Sequence, residues 1–167
     1  MRLAAPLAVL LAAFAVSSCG FQLRNWDLGS EYESIGLRTV GQQPIAPSLE
    51  RALRQTGIAF VPAASKPELL VELLDSRENL RTATVGVNAR TAEFELTSGV
   101  NFVIKDAAGK ALSQPRWANS RRVFQLDRGN LVGSNEEQTL LRREMQGDLV
   151  EQVMRALSAI TREDKGV

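Results

Sequence analysis

The side chains in this chain best suited to chemistry are arginines and carboxylates, gathered in two stretches. Arg77, Arg81 and Arg90 lie in one, Arg121, Arg122 and Arg128 in the other, with Glu78, Glu93, Glu95 and Asp127 interleaved. A guanidinium offers N–H donors in a planar fork that matches phosphate or carboxylate bidentately. If antiparallel pairing unites the two stretches, the arginines form a cationic edge or tip able to grip phosphates, such as those of an anionic lipid headgroup. The alternative is that they neutralise the neighbouring carboxylates on a solvated surface, where charged side chains normally sit. Catalysis finds less support. The chain has no histidine, which removes the commonest general base and metal ligand. It contains no glycine-rich phosphate loop, no Gly-x-Ser-x-Gly elbow and no carboxylate cluster of metal-binding type. Glu93 and Glu95 share a strand face without a partner acid or base. A serine–lysine pair is the one nucleophilic arrangement that composition leaves open.

One thiol stands apart. Cys19 is the only cysteine, so no internal disulfide can form. It follows Met1-Arg2 and an apolar run from Leu3 to Val16 broken only by Pro6. That run is shorter than the roughly 20 apolar residues a bilayer span needs, and it reads as the core of a secretory signal peptide. Val16-Ser17-Ser18-Cys19 resembles the lipobox of bacterial lipoproteins, where small residues suit the signal peptidase and the thiol takes a diacylglycerol. Acylation also removes the liability of a lone thiol in an oxidising compartment. Residues 1–18 are therefore expected to be cleaved, and Cys19 to carry a diacylglycerol and an N-acyl chain as membrane anchor, with no other cofactor and no metal. Residues 19–33 read as a tether, 34–161 as one domain and 162–167 as a flexible tail. With Arg2 removed, basic and acidic side chains balance, so no global field favours nucleic acid.

The elements that must position these groups follow from periodicity. Ile35 to Val40 alternates as a first strand. Ile45, Leu49, Leu53 and Thr56 form one helical stripe, with Pro47 in its first turn and Gly57 at its C′ position. Ile58 to Val61 reads as a brief extended piece and Pro62 to Pro67 as a loop. Glu68 to Leu80 reads as a strand leaving the core, continued by the alternation of Ala83, Val85 and Val87 to a hairpin tip at Asn88-Ala89-Arg90. Thr91 to Lys105 carries the best strand signal. Ala92, Phe94, Leu96, Val100, Phe102 and Ile104 fall on one face, interrupted only by Ser98, and Val103 is the apolar exception on the other. Arg116 to Asp127 returns as a strand whose imperfect alternation suggests a bulge. Ser134 with Glu137 fits a capping box, opening a helix with Leu141, Met145, Leu149, Val153, Leu157 and Ile160 on one stripe. The expected fold is α+β: a two-layer sandwich, with two helices on one face of a mostly antiparallel four-stranded sheet in the order β-α-β-β-β-α.

Several of these stretches carry a resemblance. Cys19-Gly20-Phe21-Gln22-Leu23-Arg24 is similar to the mature start of the LPS-assembly lipoprotein family, LptE. So are Asn88-Ala89-Arg90-Thr91-Ala92-Glu93-Phe94, Arg121-Arg122-Val123-Phe124, Asn135-Glu136-Glu137-Gln138, Arg143-Glu144-Met145 and Asp148-Leu149. The resemblance spans essentially the whole mature chain, and it implies a lipoprotein at the inner leaflet of the outer membrane. It implies as partners a β-barrel LPS translocon, whose lumen the protein plugs and helps assemble, and lipopolysaccharide (LPS) itself. It implies two helices on a four-stranded sheet. Gly20 follows the lipidated cysteine where an aspartate would resemble an inner-membrane retention signal, which favours outer-membrane sorting. The chain departs from the family at Val87, where a basic residue often precedes the turn, and at Gly133 or Ser134, where a second is expected. LPS contact is accordingly expected at Arg90 and Arg122, with Arg121, Arg77, Arg81 and Arg128 beside them. Two other readings are a scaffold lipoprotein of a different outer-membrane assembly machine and a periplasmic hydrolase with a serine nucleophile.

Overall fold

The computed structural model describes residues 32–85, 91–127 and 131–163. Along the chain run β1 (Ser34–Thr39), α1 (Ala46–Arg54), β2 (Ala59–Phe60), a 3₁₀ turn (Ala63–Ser65), β3 (Leu69–Val85), β4 (Thr91–Lys105), β5 (Arg116–Asp127) and α2 (Leu131–Glu163). The sheet has five strands in the order β2-β1-β3-β4-β5. β1 is parallel to β2 and β3, while β3–β4 and β4–β5 are antiparallel. Both helices cover the same face. Leu49 and Leu53 of α1 and Val153, Met154 and Leu157 of α2 pack with Ile35, Val71, Phe102 and Ile104 in one core.

The helical stripe read from the sequence is the buried one: Ile45, Leu49, Leu53 and Thr56 are all buried. Pro47 stands at the start of α1, and Gly57 takes φ +80° just beyond its end, a conformation natural to glycine. Thr56 Oγ1 donates to the Leu53 carbonyl at 2.7 Å, satisfying an end-of-helix acceptor. In β4, Leu96, Val100, Phe102 and Ile104 are buried as their spacing requires.

Three expectations need correction. The sheet has five strands and is mixed, because the brief extended piece at Ala59–Phe60 pairs with β1 and α1 serves as the crossover between these parallel strands. Two residues carry no periodicity, so sequence alone shows neither partner nor direction. The two alternating stretches before the hairpin form one strand, as expected, but the bulges interrupt β3, at Leu73/Asp75 and Thr82/Thr84, while β4 and β5 pair without a register shift. The bulge at Leu74 swaps faces: Leu69, Val71 and Leu73 point to the helices before it, Ser76, Glu78 and Leu80 after it. That swap is why the run looks like a strand leaving the core. Lastly, α2 begins at Leu131 and ends at Glu163, so Ser134 is a helical residue, not a cap.

Val103 is buried although it lies on the face away from the helices, as are Leu70 and Glu72. The segment from Val61 to Pro67 closes over that face beside Gly36, where an added Cβ would lie 2.7 Å from Pro67 Cγ. β5 is an edge strand, and its exposed backbone is blunted by α2. Gln152 accepts from the Asn119 N–H (3.1 Å) and donates to its carbonyl (2.8 Å).

Leu157 is fully buried, so Leu157→Ala should cost about 2–5 kcal/mol. Val123 is 57 % exposed at the edge of the sheet, and Val123→Thr should stay within about 0.5 kcal/mol. Urea denaturation of both variants checks the contrast.

Candidate functional site: the open face of the sheet

Antiparallel register decides which arginines share a surface. Across the long half of the sheet, Arg77 pairs with Gly99, Arg81 with Glu95, and Glu95 with Val123; Thr97 pairs with Arg121 and Gly99 with Asn119. These residues occupy the face away from both helices, along with Trp117 and Gln125. Arg81 and Arg121 meet at Glu95. Arg81 grips its carboxylate with two hydrogen bonds, Nε to Oε1 at 2.9 Å and Nη2 to Oε2 at 3.1 Å. Arg121 Nε lies 3.8 Å from the same Oε1. The Glu95 side chain is only 12 % exposed between two arginines that are largely in solvent.

The hydrogen-bonded Arg81 guanidinium holds the Glu95 carboxyl below the ordinary glutamate value, and the Arg121 charge acts in the same sense against a contribution from burial. Arg81 is raised in turn, first by that hydrogen bond.

Arg77 has a different setting. Its guanidinium lies 4.1 Å from the centre of the Trp117 ring and donates from Nη2 to Asn119 Oδ1 at 3.0 Å. It reaches them by crossing β4 at Gly99. A Cβ there would meet Asn119 Oδ1 at 2.8 Å and Arg77 Nε at 3.3 Å, so any other residue would push the two side chains from this arrangement. Cation–π stacking and a hydrogen bond thus hold Arg77 flat against the sheet.

Arg122 turns the other way. Its neighbour Arg121 faces solvent, and the pleat sends Arg122 toward α2, where Nη2 donates to Asp148 Oδ2 at 2.6 Å. Ser120 Oγ donates to the same oxygen at 2.7 Å. The structure therefore brings Arg77, Arg81 and Arg121 to one face and gives Arg122 a bond between layers. Arg90, Arg128 and Cys19 lie outside the described residues. Of the carboxylates expected to neutralise arginines, Glu95 meets Arg81 and Arg121, and Glu93 accepts from Gln125 at 3.4 Å. Glu78 is held by Arg142 of α2 at 3.0 Å, a pairing across 64 positions that no local pattern signals. Trp117 and Asn119 carry no signal in the sequence, and Asp148 enters there only within the family resemblance. The register of β4 with β5 would have flagged the first two, since it sets them beside Asn101 and Gly99.

Among the described residues no group of three or more His, Cys, Asp or Glu could hold a metal ion, and no helix is long and apolar enough to cross a membrane.

Because the folded-state pKa of Glu95 is depressed, its contribution to stability is complete above the ordinary glutamate value of about 4.3. It disappears as pH falls through the lower folded value. Denaturant midpoints measured from neutral to acid pH should therefore fall less steeply below that value in Glu95→Gln than in the wild type. Parallel acid limbs would show that the carboxylate is not held as described.

Comparison with known proteins agrees with this architecture. Residues 33–157 match the model of the family described as LptE: Lipopolysaccharide-assembly. The LPS-assembly lipoprotein LptE of Photorhabdus laumondii is 24 % identical over 157 residues, covering 93 % of this chain and 85 % of that protein. The solution structure of lipoprotein B from Nitrosomonas europaea superposes with a TM-score of 0.70 at 28 % identity, over 86 % of this chain and 93 % of that one. The rare lipoprotein B of Shewanella oneidensis shares the fold, with a TM-score of 0.67 at 19 % identity, over 79 % of this chain and 98 % of its own. The family match covers most of the chain, with all five strands, the first helix and most of α2, and the chain belongs to the lipopolysaccharide-assembly family LptE.

Proposed function

We propose that this protein is a non-enzymatic lipoprotein of the outer membrane. In this reading it is anchored on the periplasmic side through acyl chains on Cys19, plugs and helps assemble the β-barrel LPS translocon, and binds LPS during export. Family membership supports the role in LPS assembly. The observation that carries the rest is the division of the sheet. One face is consumed by the core, while the other, along β3, β4 and β5, is uncovered and set with Arg77, Arg81, Glu95, Asn119 and Arg121. A polar surface of alternating donors and acceptors suits a water-filled barrel lumen. Guanidinium forks beside it suit the phosphates of lipid A.

Arg81, Arg121 and Arg77 hold their side chains ready on the open face, and Arg90 and Arg128 flank the same strands in sequence. Arg122 stays in the proposed site as a residue at its rim, but its bond to Asp148 ties it to the fold.

Photocrosslinkers at Thr97 and Gln125 test the plug. Both lie on the open face, and in membranes they should trap the translocon barrel. Exclusive capture of a different assembly machine would favour a scaffold role there instead.

LPS binding is tested separately. A charge-assisted contact contributes roughly 1.5–3 kcal/mol, so Arg121→Gln and Arg90→Glu should each weaken binding by about ten- to a hundredfold, with circular dichroism unchanged. Arg122→Glu sets a carboxylate against Asp148 and should lower stability as well as binding. Wild-type affinity in both Arg121→Gln and Arg90→Glu at low salt would move the site elsewhere.

A further inference from the structure

The interior between the two layers is not one continuous core. The main cluster, around Leu53, Phe102 and Leu157, is separate from a smaller one in which, among the described residues, Leu96, Phe124 and Met145 are buried, with Phe94 and Leu141 packed against them. Between them lies a cavity of about 70 Å³ bounded by Gln43, Ser76, Ser98, Met145, Gln146 and Leu149. Gln43 is 8 % exposed, and its Nε2 donates to the Val40 carbonyl at 2.8 Å, which fixes the amide orientation. Its Oε1 is then a buried acceptor with no partner. Among the described residues the hydroxyls of Ser76 and Ser98 and the amide of Gln146 make no hydrogen bond to the protein. Ser98 is the one residue that breaks the apolar alternation of β4.

Polar groups continue on either side of the cavity. Ser120, the register partner of Ser98, donates to Asp148, which Arg122 also holds. Toward the other side Arg142 reaches Glu78. On α2 these contacts fall between Arg142 and Asp148, next to Gly147, whose absent side chain would meet nothing within 4 Å. Glycine weakens a helix at such a place. Apolar contacts hold α2 to the sheet above and below this level. At this level Met145 is the one fully buried apolar side chain of α2 among the described residues, and the other contacts are polar and partly exposed, for which water is a ready substitute.

We propose that this belt is a hydrated joint. The cavity binds ordered water through Gln43 Oε1, Ser76, Ser98 and Gln146. The N-terminal half of α2, with the β4 segment beneath it, opens there as a unit separate from the main core. The space suits about two waters at roughly 30 Å³ each, and a buried water takes two to four polar partners, which these groups supply. Opening free energies in a native protein vary by region, and a segment that meets the main core across a polar, hydrated belt belongs toward the low end. The half that opens packs on the reverse side of the strands that carry Glu95 and Arg121, so the joint lets that part of the open face move relative to the main core. This inference does not depend on the proposed ligand or partner.

Native-state hydrogen exchange on the full mature chain, read by mass spectrometry, tests it. Amides of 135–145 should exchange at one common rate with those of 93–97, at least tenfold faster than amides of 149–160, with a step between Met145 and Leu149. Replacing the polar lining by Gln43→Leu with Ser98→Val should dry the cavity, join the two clusters and slow the common rate about tenfold, leaving 149–160 unchanged. If that pair does not fold, Gln146→Leu carries the same expectation. Fraying from the helix end would instead give a smooth gradient along α2 that ignores Gln43, Ser98 and Gln146. Such a gradient, equal rates in both halves, or a common rate indifferent to the lining overturns the joint.

Discussion

Alternation along β4 constrains nearly everything around it, because this strand pairs with β3 on one side and β5 on the other for most of its length. Its side chains serve two environments in strict turn. Leu96, Val100, Phe102 and Ile104 enter the core, while Glu95, Thr97 and Asn101 face outward. A slip of one residue would send every one of them to the wrong side. β5 matches this pattern without a shift. β3 cannot, since its helix-facing residues sit at odd positions up to Leu73 and at even ones from Ser76 to Leu80. The bulge at Leu74 reconciles the two, so that Leu80 lies opposite Leu96 and Arg81 opposite Glu95. The carboxylate that gathers two arginines thus depends on an irregularity at Leu74, far from it in the chain.

Much of this was legible in the sequence because it is written in periods. Four-residue spacing placed Leu49 and Leu53, and Leu149, Val153 and Leu157, on the stripes that are buried. Two-residue spacing placed the core side of β4. What was not legible lacks a period. β2 is two residues long, and its parallel pairing with β1 depends on how α1 crosses the sheet. The bulge was expected in β5, whose mixed alternation has another cause: Ser120 and Arg122 face inward because Asp148 awaits them. The start of α2 was placed at a capping residue, whereas the helix extends through Leu131 and Val132 before it. The candidate site was half legible. Counting arginines found the residues, but only the register showed that Arg77, Arg81 and Arg121 share a face.

The charges on that face are organised internally before any partner arrives. Arg81 spends a bidentate grip on Glu95, and Arg77 is spread over Trp117 and held by Asn119. Holding a long side chain in one place in advance lowers the entropy that a later contact must overcome. It also means that a phosphate competes with a carboxylate already in place. Arg121 is the exception. At 3.8 Å from Glu95 it keeps its fork largely uncommitted. If LPS phosphates are taken up on this surface, Arg121 is where the first hydrogen bonds are free to form, and exchange of partners at Glu95 would keep the hold reversible, as hand-over between carriers requires.

Arg121 and Arg122 show how little sequence adjacency says about role. The pleat sends successive residues to opposite faces, so one guanidinium is offered to solvent while the next is drawn between the layers. The second serves the first. Asp148, held by Arg122 and Ser120, ties α2 to β5 close to where Gln152 blunts the backbone edge at Asn119. Those bonds keep α2 against the inner side of the strand whose outer side carries Trp117, Asn119 and Arg121. Apolar packing there would hold the helix more tightly but would leave the edge of β5 without partners for its backbone. The polar seam satisfies that edge and accepts a weaker hold on the helix at the same level, beside the cavity at Gln43 and Ser98.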